Sequence, residues 1–569
     1  MAKVDGGLLL AKALKSEGVE CVFTLCGGHI MPMFYGLREV GIEIIDFRHE
    51  CAAAYAADAY AQTSGKPGVV ITTAGPGVTD ATSAMLESLY SGNPIIHIGG
   101  ASPVNENETG PLQDMPTLEV MADCTKWARK CYHTERIPEY VSMAFRHALD
   151  AFPGPVYIEC AADTVMGTVE EDDVYFPVNY RTDAQAFGDP TLIDKAADML
   201  INAKSPAILL GAGARYCIQY GEEAIPELAD YLKLPVGAQE ASRGLVADES
   251  KNPQFRMMGA LPAADVVLAL GVNFDYRVVK GKAPLFRDDV KFIQVHADKT
   301  KIGYNAPAEI GIFGSAGAVA KQLLEAVKAK TGKQEDLTWI KKAGEVAQMA
   351  AKPWIEGLSS EGVPIHPGRC AGEVGKFLAT EGQEWNIVCD GGDASQWIKA
   401  ASLARRPGQL TYFGPNGTIG TGAGFAIGAW AADRKPVLWY TGDGSFGFYT
   451  MELDTMAKLG MPVVVVISND SAWGMIKLSE GYAKAEMIKE KGHCNVDLAH
   501  MRSYEKLPEM WGGYGELVTD PAEIVPAIKR AVANGKPSII NVEVDKKSMS
   551  PITQGFSESM KQAGGKKTY

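Results

Sequence analysis

Val437-Leu438-Trp439-Tyr440-Thr441-Gly442-Asp443-Gly444-Ser445 is an apolar run that ends in an acid between two glycines. A helical segment follows to Leu459, and Gly460 and Pro462 break it. Val463 to Ile467 then form a second apolar run, closed by Ser468-Asn469-Asp470-Ser471-Ala472-Trp473-Gly474. Strand, glycine-bracketed acid, crossover helix and second strand make a βαβ unit. Both loops of such a unit emerge at the carboxyl edge of one parallel sheet, where ligands bind. The glycines let backbone approach an anion, and the next helix offers its N-terminus to phosphate. Two hard oxygen ligands suit Mg²⁺. The stretch predicts a metal–diphosphate clamp on Gly442, Asp443, Gly444, Ser445 and Asp470, with Asn469 as the alternative ligand if the loop is read one residue earlier.

Outward from this unit the 569 residues read as three α/β blocks. The first, residues 1–185, has strand-like runs at Cys21 to Phe23, Gly68 to Thr72, Pro94 to Ile98 and Val156 to Glu159. The second, 190–330, has Ala207 to Leu210, Val266 to Leu270 and Phe292 to His296. A polar, helix-rich connector occupies 331–364, the clamp block 365–545, and a tail 546–569 whose Gly/Lys-rich end reads as mobile. Strands alternating with helices throughout predict three doubly wound parallel-sheet domains, an α/β fold.

Composition excludes several classes. A net charge of −14 leaves no basic surplus to neutralise nucleic-acid phosphates. Ten cysteines without a CxxC or Cys/His ligand pattern read as reduced thiols, not zinc ligands or disulfides. The opening Met1-Ala2-Lys3-Val4-Asp5 has no basic leader, and Leu8-Leu9-Leu10 is too short to span a membrane. A cytoplasmic enzyme with no membrane partner is the expectation.

In the first block, Ile44-Ile45-Asp46-Phe47-Arg48-His49-Glu50 leads a strand into a carboxylate, and the Ala-rich helix Cys51 to Ala61 follows. A carboxylate in a first helical turn is favoured by the helix dipole alone. Two further elements give it company. Thr72-Thr73-Ala74-Gly75-Pro76-Gly77-Val78-Thr79-Asp80 follows a strand and opens a helix, and Leu112-Gln113-Asp114 lies after the next strand.

The Gly442-Asp443-Gly444 element, with its polar partner at the next strand end, resembles the thiamine diphosphate-binding motif. The Glu50, Gly75 and Gln113 segments have the order and spacing of that family's pyrimidine-binding domain. The resemblance implies a pyrimidine-binding, a central and a diphosphate-binding domain, and a metal held by Asp443, Asp470 and the carbonyl of Ala472. Asp470 departs from the commonest form, where this place is Asn. It also implies that Glu50 hydrogen-bonds the aminopyrimidine and so drives formation of the nucleophilic ylid, and that Ile419 props the two cofactor rings apart. Gly417 would meet the pyrimidine, and Ala394 and Ser395 would help hold the diphosphate. Glu50 would come from one subunit and the clamp from another, so the resemblance implies a homodimer or homotetramer with active sites at subunit interfaces.

The loop Leu25-Cys26-Gly27-Gly28-His29-Ile30, with Arg48-His49-Glu50 and Thr73-Ala74-Gly75-Pro76-Gly77, is similar to benzaldehyde lyase and 2-hydroxyacyl-CoA lyases, and also to acetolactate synthases, whose loop usually lacks this His. His29 and Gln113 are therefore expected to serve a lyase or carboligase acting on a small carbonyl substrate: a 2-hydroxyketone, a 2-hydroxyacyl-CoA thioester or a 2-keto acid. A 2-keto acid or oxalyl-CoA-type decarboxylase and an acetolactate synthase (a transferase) stay open. The central block resembles a domain that in some members binds FAD or the ADP part of coenzyme A, with Gly211-Ala212-Gly213-Ala214 and Gly271 to Val278 as the segments concerned.

Overall fold

Val437–Gly442 and Val463–Asn469 lie side by side as parallel strands, in register from Val437↔Val463 to Gly442↔Ser468. The two acid-bearing loops therefore leave the same sheet edge. Asn386–Cys389 pairs with the first of them, and Leu410–Tyr412, Ser538–Glu543 and Gly515–Val518 complete a six-stranded parallel sheet. Its strands are almost continuously apolar because helices cover both faces. In this computed structural model residues 3–216, 218–248, 257–483, 485–555 and 558 are described.

Strands numbered by their place within a block run 2-1-3-4-6-5 across this sheet. The first block repeats that order with Cys21–Thr24, Glu43–Asp46, Gly68–Thr72, Ile95–Ala101, Trp127–Cys131 and Val156–Ala161. The central block, Pro206–Leu210, Val236–Ala238, Val266–Leu270, Lys291–His296 and Ile310–Phe313, runs 2-1-3-4-5. All three sheets are parallel and doubly wound, as expected. The exception is a small antiparallel ribbon of Lys3–Asp5 with Thr168–Glu170. Each order reverses between strands 1 and 3, and ligands of such sheets bind outside the carboxyl ends at that reversal.

The two outer blocks meet through a seam of small residues. Glu50–Ser64 is buried over nearly its whole length, so it carries Ala where an ordinary surface helix carries charge. His49 caps it: the ring Nδ1 accepts the N–H of Cys51 at 3.1 Å. Opposite lies Gly422–Asp433. A Cβ on Gly424 would stand 2.4 Å from the Ala52 carbonyl oxygen, and one on Gly428 2.1 Å from that of Ala56. Only glycine permits this approach.

The connector is a single helix over Thr338–Leu358. The start of the tail differs from expectation. Residues 551–555 are helical, and Ser550 and Thr553 are fully buried. Asp393 accepts the Ser550 N–H at 3.0 Å and the Thr553 hydroxyl at 2.6 Å. A carboxylate withdrawn from water needs such donors, and it fixes the segment that supplies them. The tail from 559 onward lies outside the described residues. Among the described residues no helix is long and apolar enough to cross a membrane.

Candidate active site

The structure gathers the expected residues into two groups, one at each outer sheet's carboxyl edge. In the clamp block, Asp443 begins a short helix directly after its strand and is 3 % exposed. Its carboxyl group is hydrogen-bonded to that of Asp470. Burial, and then the Asp470 charge, push Asp443 far above the usual carboxylate range; burial raises Asp470 as well. Two facing buried carboxylates resist joint ionisation, and a divalent cation between them removes that penalty. The Ala472 N–H donates to Asp470 Oδ1 at 3.1 Å, after Ser471 turns the chain with φ 54°. Asn469 is engaged elsewhere: Nδ2 donates to Asn541 at 3.0 Å and Oδ1 accepts the Ser471 N–H at 3.0 Å.

The loop after the neighbouring strand closes on the same place. Gly391 has φ 90°, and a Cβ there would lie 3.0 Å from Ser445 Oγ and 3.2 Å from the Gly442 nitrogen. Ala394 packs beside Gly442, its Cβ 3.8 Å from the Cβ that position would carry. Ser395 is buried and its hydroxyl donates to the Gly392 carbonyl at 2.9 Å. Gly417, at φ 69°, borders open space, with Ile419 half-buried two residues on. The facing acids, small residues and open glycine backbone fit a magnesium diphosphate.

Sequence reasoning missed the residue that ties these loops together. Asp390, fully buried, accepts the N–H of Gly391 at 2.7 Å, the N–H of Gly420 at 2.9 Å and the Thr441 hydroxyl at 3.1 Å. One side chain thus fixes the Ala394, Ile419 and Asp443 loops relative to one another. Its signal in the sequence is an acid at the end of an apolar run, before Gly391-Gly392. Glu87 was also missed. It accepts the Gly414 N–H and the Thr418 hydroxyl, each at 2.7 Å, and so holds the Ile419 loop from the first block.

The second group surrounds the turn Thr73–Gly77. Glu50 opens its helix at 9 % exposure. Burial raises it above the usual carboxylate range, the Asp80 charge adds to this, and His49 opposes it. A Cβ on Gly77 would come 3.3 Å from Glu50 Oε1. Gly75, at φ 58°, packs on Gln113, whose own φ is 62°: a Cβ at Gly75 would lie 2.8 Å from the Gln113 carbonyl oxygen. His29 Nδ1 lies 3.4 Å from Thr73 Oγ1, and Gly100 leaves the room its Cβ needs. His29, Glu50, Gly75 and Gln113 therefore share one turn. A polar cavity of about 330 Å³ adjoins Gln113, with the buried pair Lys130–Glu159, 3.0 Å apart, in its wall.

The chain belongs to the thiamine pyrophosphate enzyme family. It matches the family's N-terminal TPP binding domain over residues 4–121, its central domain over 193–323 and its C-terminal TPP binding domain over 390–542. A probable acetolactate synthase of Mycobacterium bovis is 30 % identical over 547 residues, covering 95 % of this chain and 96 % of that one. Human 2-hydroxyacyl-CoA lyase 1 is 28 % identical, covering 95 % of both chains. Oxalyl-CoA decarboxylase of Escherichia coli is 26 % identical, again covering 95 % of both. The protein is an enzyme of this thiamine diphosphate-dependent family.

In the central TPP-enzyme domain the two glycine segments fill the space between strands 1 and 3 themselves. The Gly213 N–H donates to the Gly271 carbonyl at 2.9 Å, and a Cβ on Gly211 would lie 2.3 Å from that oxygen. Arg277 pairs with Asp275 at 2.7 Å and donates to the Tyr412 hydroxyl at 2.9 Å, so the following segment docks the clamp domain. The FAD expectation gains no support.

Proposed function

We propose that this enzyme breaks or makes the carbon–carbon bond of a 2-hydroxyketone, a 2-hydroxyacyl-CoA or a 2-keto acid. The observation that carries this reading is the meeting of His29, Gly75 and Gln113 around the turn that also flanks Glu50. An imidazole and an amide near one turn are what a bond-cleaving site needs to handle a substrate oxygen.

Thiamine diphosphate, when bound, supplies the electron sink for the bond that breaks. Asp443, Asp470 and the Ala472 carbonyl would hold its Mg²⁺, with Gly442, Gly444, Ser445, Ala394 and Ser395 around the diphosphate. Ile419 and Gly417 would border the pyrimidine. Glu50, whose protonated form burial favours, would donate a hydrogen bond to the pyrimidine nitrogen. Gln113 orients the substrate oxygen. In cleavage His29 would take the substrate's hydroxyl proton, and in ligation it would return that proton to the substrate oxygen.

The active site is shared between copies, with Glu50 of one facing the clamp of the other, in a homodimer or homotetramer. Exposed apolar side chains beside the two groups support this: Met31, Tyr35, Leu112 and Met115 near the first, Phe448 and Met451 near the second. The domain limits are those read from the sequence. Buried free thiols at Cys21, Cys51, Cys131 and Cys160 support a reducing, cytoplasmic setting.

The test is substrate turnover by the metal-loaded enzyme. Aldehyde released from a 2-hydroxyketone or 2-hydroxyacyl-CoA supports the reading. The relatedness to oxalyl-CoA decarboxylase favours one rival, a decarboxylase; CO₂ release with no cleavage or ligation product would establish that instead.

A further inference from the structure

Asp80 has no part in the reaction as assigned so far. It closes the short helix Pro76–Thr79, directly after the turn that carries Gly75 and Gly77, and its N–H donates to the Pro76 carbonyl at 2.8 Å. A carboxylate oxygen of Asp80, one of Glu50 and a ring nitrogen of His49 all lie within 4.8 Å of one another. Glu50 is buried in this cluster, His49 half-buried and Asp80 exposed.

Burial disfavours the charged form of Glu50. Water solvates the Asp80 charge, whereas Glu50 would pay both desolvation and repulsion to ionise beside it. The Glu50 carboxyl is raised chiefly by burial; its own backbone N–H opposes this, and the Asp80 charge adds a smaller push upward. His49 works in the opposite direction when charged, and its Nδ1 is occupied by the Cys51 N–H. Behind His49 stand the Tyr449 ring, at 5.0 Å, and Glu452, which holds the Arg48 N–H. The charged groups facing Glu50 are therefore Asp80 on the turn and His49 on its own element.

We propose that Asp80 is a positioning residue for the acid: fixed across from Glu50 by the Gly75–Gly77 turn, it holds Glu50 as the carboxylic acid that can donate to the pyrimidine nitrogen. The inference rests on Glu50 being that acid. A carboxylate at Glu50 would have no proton to offer, so the neighbour's charge sets how far up in pH the site stays ready.

The experiment measures protons exchanged when thiamine diphosphate binds the Mg²⁺-saturated protein. Calorimetry in two buffers of different ionisation heat gives that number across about pH 5 to pH 8. The parent protein is expected to show an inflection of which Glu50→Gln removes one component. Asp80→Asn should move it down by about half to one pH unit, while Asp80→Glu, which keeps the charge, leaves it near the parent's. His49→Gln should move it up. Opposite shifts from two neighbours are not produced by general loosening, and thermal melting identifies which variants fold. An unmoved inflection in folded Asp80→Asn overturns the inference while leaving Glu50 as the acid. A pH dependence in folded Glu50→Gln that matches the parent's overturns both.

Discussion

The buried carboxylate of Glu452 accepts the backbone N–H of Arg48 at 2.9 Å, two residues before Glu50. The loop that delivers the acid is thus pinned by a side chain just beyond the Asp443 turn of the same chain. Thr455 donates to the other oxygen at 2.8 Å. Burial pushes Glu452 up from 4.5 to about 7. Its contribution to stability is fully present below pH 4.5 and is lost as pH rises through about 7, because the native state then holds a buried charge. Glu452→Gln keeps an acceptor for Arg48 and removes the titration. Relative to this variant the parent should lose stability between about pH 5 and pH 8, on the order of 3 kcal/mol, in melting curves taken at both.

Removal of metal should abolish cofactor retention. Chelation should release thiamine diphosphate, and Mg²⁺ readdition should restore it. Asp443→Ala deletes a ligand and should weaken Mg²⁺ by about 100-fold or more, since even outer-shell losses reach that range. Asp470→Asn keeps an oxygen and should still bind. Equilibrium dialysis reads all three, and full cofactor binding without metal would sink the clamp assignment.

Glu50→Gln occupies the same space but cannot shift a proton. It should slow exchange of the cofactor C2 hydrogen, followed by NMR after acid quench, by about 10²–10⁴-fold. Unchanged exchange removes Glu50 from the chemistry.

His29→Ala should cost about 10²–10⁴-fold in cleavage or ligation and little in C2 exchange, which Glu50 governs. Equal loss of both would make His29 a structural part of the cofactor pocket.

Truncation after Lys547 removes the two donors that Ser550 and Thr553 give Asp393, whose neighbours Ala394 and Ser395 are the residues proposed to border the diphosphate. Cofactor affinity should fall about tenfold, measured by fluorescence titration, as expected when charged hydrogen bonds of this kind are lost. An unchanged affinity would show that the docked tail does not steady that loop.

Long apolar strands and glycine punctuation made the three sheets legible from Val437, Val463, Val266 and Gly68 outward. Trp127–Cys131, with Arg129 and Lys130 inside it, reads as polar, yet it is a sheet-edge strand whose Lys130 is neutralised by Glu159. Val236–Ala238, Leu410–Tyr412 and Gly515–Val518 are too short to carry a period. The same limit applies to the site. Gly442-Asp443-Gly444 speaks through local chain chemistry, whereas the roles of Asp390, Glu87 and Asp80 depend on partners that folding brings from other loops.

The glycine seam between Glu50–Ser64 and Gly422–Asp433 has no compressible layer: carbonyl oxygens stand where side chains would cushion the contact. Rigid contacts transmit displacement instead of absorbing it. A single methyl group at Gly428, far along the chain from the acid and touching neither cofactor nor metal, would drive the alanine helix away and carry its first residue, Glu50, off its mark. The accuracy of the catalytic distance is thus inherited from a stretch of sequence that does no chemistry, and drift there would look like an active-site defect.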